Sequence, residues 1–253
     1  MYIITILWES FHLLFMLVIF VFMIKIYKYD NLGYADYGWL KARYHFSFAS
    51  YYNPNKADFG ALCVINDDKI SPKTGFPMHH HRDMEIITYI RSGAISHEDN
   101  LGNKGITKAG DLQVMSAGTG IHHSEYNLED EECSLYQIWV KPSKFGVNPR
   151  WESMSFPKSY AEDSLTLLVS GVESDDALFV NQDVKIYGGR MKEGCVIKHD
   201  IINQVYILCV EGSIKIDDYI AQKGDGVTVE NVKNFKISAI ADSEILVIDV
   251  PSA

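Results

Sequence analysis

The side chains of this chain best suited to chemistry come in two pairs. His79 and His81 lie in GFPMHHHRDMEIITYI, and His123 and Glu125 lie in MSAGTGIHHSEY about forty residues later. Each pair is spaced i, i+2. On a β-strand that spacing sends both side chains to one face, so two such strands set side by side bring four ligands to one point. Three neutral imidazoles and one carboxylate suit a divalent first-row ion such as Fe(II), Mn, Co, Ni, Cu or Zn. Four protein ligands leave positions open on an octahedral ion for a substrate or dioxygen, which implies reaction or sensing, since structural sites are usually closed.

A single HxH is a weak signal, and the argument rests on the two pairs together. Both are framed by glycines and by runs of strand formers, residues 85–90 after the first and 135–140 after the second, so both lie on strands or strand entrances. Parity along those strands turns His80 away from His79 and His81, and His122 away from His123. Further short apolar or alternating segments recur at 61–65, 113–115, 165–169, 184–187, 205–210, 213–216 and 244–249. Turn signals such as Asn66-Asp-Asp, Arg91-Ser-Gly and Glu211-Gly separate them. Many short strands with few helical stretches predict an all-β barrel or sandwich class.

The chain also repeats itself. Tyr206-Ile-Leu-Cys-Val-Glu-Gly-Ser-Ile followed by Gln222-Lys-Gly-Asp-Gly-Val mirrors Ile87-Thr-Tyr-Ile-Arg-Ser-Gly-Ala-Ile followed by Lys108-Ala-Gly-Asp-Leu. The second copy lacks both the HxH and the HxE, and its one histidine, His199, is expected to be structural. This predicts a metal-binding domain over residues 23–150 and a metal-free domain over 165–253. Between them a polar connector runs over residues 141–164, with Pro142, Pro149 and Pro157. The aromatic set Trp39, Tyr44, Phe46, Phe48, Tyr51 and Tyr52 is expected to serve core and inter-domain packing, with one or two members lining the pocket.

A net charge of −10 and a pI near 5.3 argue against direct binding to nucleic acid. Cys63, Cys133, Cys195 and Cys209 form no CxxC pair, which suits free thiols in the cytoplasm. Leu13 to Ile24 is an apolar run of twelve, short of the roughly 20 residues that span a bilayer. Residues 1–22 are read as a mis-called start or dispensable extension. The competing reading is a membrane anchor, which by the positive Lys25 and Lys28 would leave the body on the cytoplasmic side.

The segments Tyr37-Gly-Trp-Leu, His45-Phe-Ser-Phe-Ala, Tyr51-Tyr-Asn-Pro, GFPMHHHRDMEIITY, Gly110-Asp-Leu-Gln-Val-Met-Ser-Ala-Gly-Thr-Gly-Ile and His123-Ser-Glu-Tyr-Asn closely resemble the pirin family. These are two-domain cupins, and the likeness is nearest to bacterial members with quercetin 2,3-dioxygenase activity. The resemblance implies two cupin barrels in tandem and one divalent metal ion, Fe(II) first, on His79, His81, His123 and Glu125. It further implies a monomer that opens a flavonol, or a similar small aromatic or enediol-like substrate, with O2 and loss of carbon monoxide. Glu125 would take the proton of the substrate hydroxyl. Other pirin relatives imply an alternative, an iron-bearing, redox-sensitive regulator acting through protein partners. General cupins place their ligand glutamate shortly after the first HxH, where this chain has Glu85. Glu85 shares the parity of His79 and His81 and is expected to face the same cavity behind the ligands.

Overall fold

The computed structural model describes residues 23–252, so the reading of residues 1–22 lies outside the described residues. The regular elements among them are strands, apart from two short 3-10 turns at Tyr29–Asn31 and Pro54–Lys56. Among them no helix is long and apolar enough to cross a membrane.

Each half of the chain is organised around one seven-stranded and one four-stranded sheet, the tandem barrel architecture expected from the resemblance. In the first half the large sheet centres on Leu62–Ile70, Cys133–Val140 and Glu85–Ser92. The small sheet contains Thr74–His81, Ile121–Asn127, Ala94–Asp99 and Lys104–Lys108. The small sheet of the second half repeats that order, with Val196–Asp200 standing for Thr74–His81 and Asn234–Ala239 for Ile121–Asn127.

The two kinds of sheet follow from two kinds of sequence. Strands covered on both faces read as near-continuous apolar runs, as do Ile86 to Ile90, Val205 to Val210 and Ile245 to Val250, interrupted by Thr88 and Asp249 and buried throughout. Strands with one wet face alternate. In Ile121–Asn127 the residues Ile121, His123, Glu125 and Asn127 are buried between the more exposed His122, Ser124 and Tyr126. The large sheets have two dry faces because they pack back to back. One apolar cluster unites Ile87, Tyr89 and Ile138 of the first half with Leu168, Leu208 and Ile248 of the second. Separate clusters fill the barrels, around Ile70, Ile90 and Leu135 in the first half and around Ile197, Phe235 and Val247 in the second. Polar ties cross the same junction: Tyr89 donates its hydroxyl hydrogen to Glu244, and His45 Nδ1 lies 2.9 Å from the Tyr206 hydroxyl.

Three features depart from the sequence expectation. Met23–Tyr27 pairs antiparallel with Gly226–Glu230, at the edge of the second half's large sheet, with Ile24 opposite Val229. Arg150–Ser155 falls within the expected connector yet forms a strand on Asp111–Ser116, extending the first large sheet; Pro149 and Pro157 bracket it without interrupting it. Asn66-Asp67-Asp68, read as a turn, lies inside the strand Leu62–Ile70.

Phe156 is 1% exposed within the cluster shared by both halves, its ring 5.1 Å from that of Tyr89. Phe156→Ala should therefore cost about 3–5 kcal/mol and shift one cooperative transition in which both halves take part. Denaturant melts followed by tryptophan fluorescence and far-UV circular dichroism check this, since separately unfolding halves would give curves that do not coincide.

Candidate metal centre

The site is made by strand register. Thr74–His81 and Ile121–Asn127 pair antiparallel with His123 opposite His79 and His122 opposite His80. Facing residues of paired strands project to the same side, so the inner rings converge. Ring centroids are 4.4 Å apart for His79 and His123, 4.7 Å for His79 and His81, and 5.0 Å for His81 and His123. One nitrogen from each of the three lies within 4.8 Å of the others. His80 and His122 pair at 4.8 Å on the other, exposed face, as parity requires.

Glu125 is displaced from this triplet by a local irregularity. The register shifts after His123, so Glu125 falls opposite Phe76 and not Pro77. Proline has no N–H to give to a ladder, and bulges are one of the few places a sheet tolerates it. Gly75 permits the close approach that follows, because a Cβ there would sit 2.2 Å from the carbonyl oxygen of Glu125. On its other edge the strand Ile121–Asn127 pairs with Ala94–Asp99, which sets Glu125 opposite His97. The ligand atoms of His97, His123 and Glu125 form a second group, all within 4.8 Å of one another. His123 is thus shared between a three-histidine group and a group that holds the carboxylate.

Neutral donors fix the Glu125 carboxylate. Gln113 Nε2 donates to Oε1 and Gln137 Nε2 to Oε2, both at 2.8 Å. The amides are themselves oriented, since Thr107 donates to Gln113 Oε1 at 2.7 Å and Trp139 Nε1 to Gln137 Oε1 at 3.2 Å. No cation offsets the burial, and burial pushes the carboxyl up to about 7 against the opposing effect of these hydrogen bonds.

The imidazoles are held in the form that ligates metals. His79 Nδ1 lies 2.8 Å from the carbonyl oxygen of Pro77. A carbonyl only accepts, so Nδ1 carries the hydrogen and Nε2 keeps its lone pair. Burial, aided by the charges of neighbouring histidines, pushes His81 down to about 4 and His123 down to about 2. Both ring nitrogens of His123 are buried without a hydrogen-bond partner. Leaving such atoms unpaired costs about 1–3 kcal/mol each, and a bound cation removes that cost for the nitrogen it takes. The donor set and the orphaned ring together fit a divalent transition-metal ion. Beside the triplet a cavity of about 180 Å³ opens onto His79 and His81, walled by Tyr44, Phe48, Phe76 and Trp139.

Sequence reasoning missed His97. Its ring stacks on Trp151 at 4.9 Å and 10°, while Nε2 lies 3.2 Å from Asp99. Trp151 comes from the strand hidden in the expected connector, so the ring's setting was not visible locally. Gln113 and Gln137 carried a signal that went unused, as polar residues inside otherwise apolar strands.

Glu85 requires correction. Its carboxylate accepts from Ser116 Oγ at 2.6 Å and from Asn181 Nδ2 of the second half at 3.1 Å, on the same strand face as Ile87 and Tyr89 in the shared cluster. Asp83, with φ of 47°, breaks the strand between His81 and Glu85 and resets the parity on which the expectation rested. Tyr52 is likewise 76% exposed and not packed in a core. In the second half the positions equivalent to the ligand strands carry Ile197, Phe235 and Ile237 around His199, whose ring packs against Tyr187 and Phe235.

Two outcomes are expected. Alanine at His79, His81 or His123 should weaken metal binding by more than the roughly 10–100-fold that loss of a supporting partner costs, whereas alanine at His80 or His122 should leave metal content near that of the parent chain, as read by elemental analysis. A cation near Glu125 favours its ionised form, so binding at pH 6 should expel the proton that the buried carboxyl holds. Glu125→Gln should accordingly release about one proton fewer per ion at pH 6 and the same number at pH 8.5, measured by titration calorimetry in buffers of different ionisation enthalpy.

Comparison with known proteins agrees with this architecture. The family described as Pirin matches residues 27–140, and the quercetinase C-terminal cupin domain matches residues 167–250. The chain is 46% identical over 230 residues to a pirin-like protein of Caulobacter vibrioides, covering 90% of this chain and 99% of that one. It is 41% identical over 232 residues to quercetin 2,3-dioxygenase of Escherichia coli K12, with 90% and 99% covered. Among solved structures, the bacterial pirin YhhW of Escherichia coli in complex with nickel(II) superposes with a TM-score of 0.86 at 40% identity, over 91% of this chain and 100% of that one. The two barrels, the ligand strands of the first and these likenesses along both halves make the chain a member of the pirin family of two-domain cupins.

Proposed function

We propose that this chain is a metal-dependent dioxygenase that opens the ring of a flavonol or a related enediol-like aromatic with O2. The observation that carries the reading is the juxtaposition of three histidines with a buried carboxylate, Glu125, beside a cavity with aromatic walls. His79, His81 and His123 would hold the ion, with Glu125 as the adjoining fourth ligand and Fe(II) as the ion we assign. When bound, the ion supplies Lewis acidity that favours the ionised substrate hydroxyl and a route for electrons to dioxygen.

The remaining steps belong to the protein. Tyr44, Phe48, Phe76 and Trp139 present aromatic faces to a flat ligand and exclude water around it. Glu125 accepts the proton of the substrate's hydroxyl, a task open to it in the ionised form that a cation beside it favours. Gln113 and Gln137 hold its two oxygens in place through that transfer, because their own carbonyls are anchored by Thr107 and Trp139. In the overall reaction both oxygen atoms enter the product, the ring opens at the carbon that bore the hydroxyl, and that carbon leaves as carbon monoxide. The likeness to proteins named quercetin 2,3-dioxygenase supports the same reaction class.

Glu125→Gln keeps size and one oxygen donor while removing basicity. It should retain at least part of the metal and lose about 10²-fold or more in flavonol turnover. The measurement is metal content of the purified chain, then anaerobic and aerobic incubation with quercetin while carbon monoxide and absorbance are followed. A fully loaded parent chain that releases no carbon monoxide would sink the enzyme reading and favour the redox-sensitive regulator.

A further inference from the structure

The strand Leu62–Ile70 carries three consecutive buried polar residues, Asn66, Asp67 and Asp68, and they have different fates. Asp67 points to the outer face and forms an ion pair with Arg91. Asn66 and Asp68, spaced i, i+2, share the opposite face and line the cavity beside His79 and His81. They are 3% and 2% exposed. Asn66 Oδ1 and Asp68 Oδ1 are both buried with no hydrogen-bond partner. Two unpaired oxygens side by side, on a strand whose other inward residues include Ile70, are costly to fold, and groups of this kind call for an absent partner.

The rest of the cavity narrows what that partner is. Its other walls are aromatic and aliphatic, and its volume of about 180 Å³ is below the roughly 300–1,000 Å³ of sites that take a whole drug-sized ligand. The shape therefore suits one substituted ring. Burial, with the neighbouring Asp67 and Glu125, holds the Asp68 carboxyl well above the ordinary carboxylate range.

We propose that Asn66 and Asp68 are the recognition end of the cavity, binding a second hydroxyl of an aromatic substrate whose chelating oxygens sit at the histidine triplet, so that the site selects polyhydroxylated aromatics. The inference rests on the dioxygenase reading for the placement of the chelating oxygens. It adds a specificity element that the metal ligands alone do not supply.

The test is anaerobic binding to the full chain loaded with nickel(II), which separates recognition from turnover. The probes are 3-hydroxyflavone, which carries the chelating hydroxyl alone, and quercetin, which carries further ring hydroxyls. The parent chain should prefer quercetin by about 10-fold or more, since a site built to hydrogen-bond a hydroxyl rejects the analogue lacking it. Asp68→Leu, similar in size and unable to hydrogen-bond, should bring that preference to within about twofold while 3-hydroxyflavone binds as tightly as before. Equal binding of the two probes by the parent chain overturns the proposal, as does an unchanged preference or an equal loss of both probes in Asp68→Leu. Metal content and melting temperature establish that the variant is folded. If it is not, Asn66→Leu and the parent ratio decide the matter by the same criteria. Absent carbon monoxide release from the iron-loaded chain in air would sink the dioxygenase reading while leaving the binding ratio measurable, so the two failures are distinguishable.

Discussion

The register between Thr74–His81 and Ile121–Asn127 is the constraint on which the site depends. With His123 facing His79, three imidazoles meet on the dry side of a small sheet and two histidines are sent to the wet side. A slip of one residue would exchange those roles and put His80 and His122 inside. The pairing is pinned from several directions. Buried Ile121 and Asn127 fix which face of the strand is inward, and Asn127 Nδ2 donates to the carbonyl of Glu131 at 2.8 Å and of Ile70 at 3.1 Å. The sheet packs over a barrel whose far wall, the large sheet, is locked against the other half of the chain. The second barrel thus adds no ligand, yet it supports the surface on which the ligands are arrayed.

Electrostatics at the centre is set by what is missing from it. Among the described residues no lysine or arginine pairs with Glu125, and its partners are the neutral Gln113, Gln137 and Thr88. Arg91, partly buried in the same half, is committed to Asp67 on the opposite face of its strand and stacks over Tyr136 at 4.6 Å. A pocket of neutral imidazoles and an uncompensated carboxylate has a deficit of positive charge that only a ligand can fill. The guanidinium of Arg91 is thus placed where it does not fill that deficit.

How much of this was legible in the chain varied with the range of the interaction. The period of two is local, so the convergence of His79, His81 and His123 and the outward turn of His80 and His122 followed from spacing alone. The alternation of the small sheets and the continuous runs of the large ones gave the all-β class for the same reason. Glu125's displacement was not legible, because a bulge depends on the partner strand and on Pro77. His97 entered through pairing with a strand on the other edge, and Trp151 through a strand that composition marks as a linker. Glu85 was misplaced by one residue in a left-handed conformation, Asp83. Asn66-Asp-Asp has the composition of a turn yet lies inside a strand, with Asn66 and Asp68 toward the cavity and Asp67 toward Arg91.

The pairing of Met23–Tyr27 with Gly226–Glu230 also bears on how such a chain is made. Strands that emerge first during synthesis ordinarily fold with their near neighbours, domain by domain. Here the first described strand has its partner near the other end of the chain, and Lys28 just after it bonds Asp225 at 2.7 Å. While the first barrel can assemble from residues already synthesised, this strand must wait, with Ile24 uncovered, until the last sheet exists. Closing that long loop is a non-local contact of the kind that raises contact order and slows folding. Two barrels that read as a simple tandem are therefore tied together by the first and last parts of the described residues.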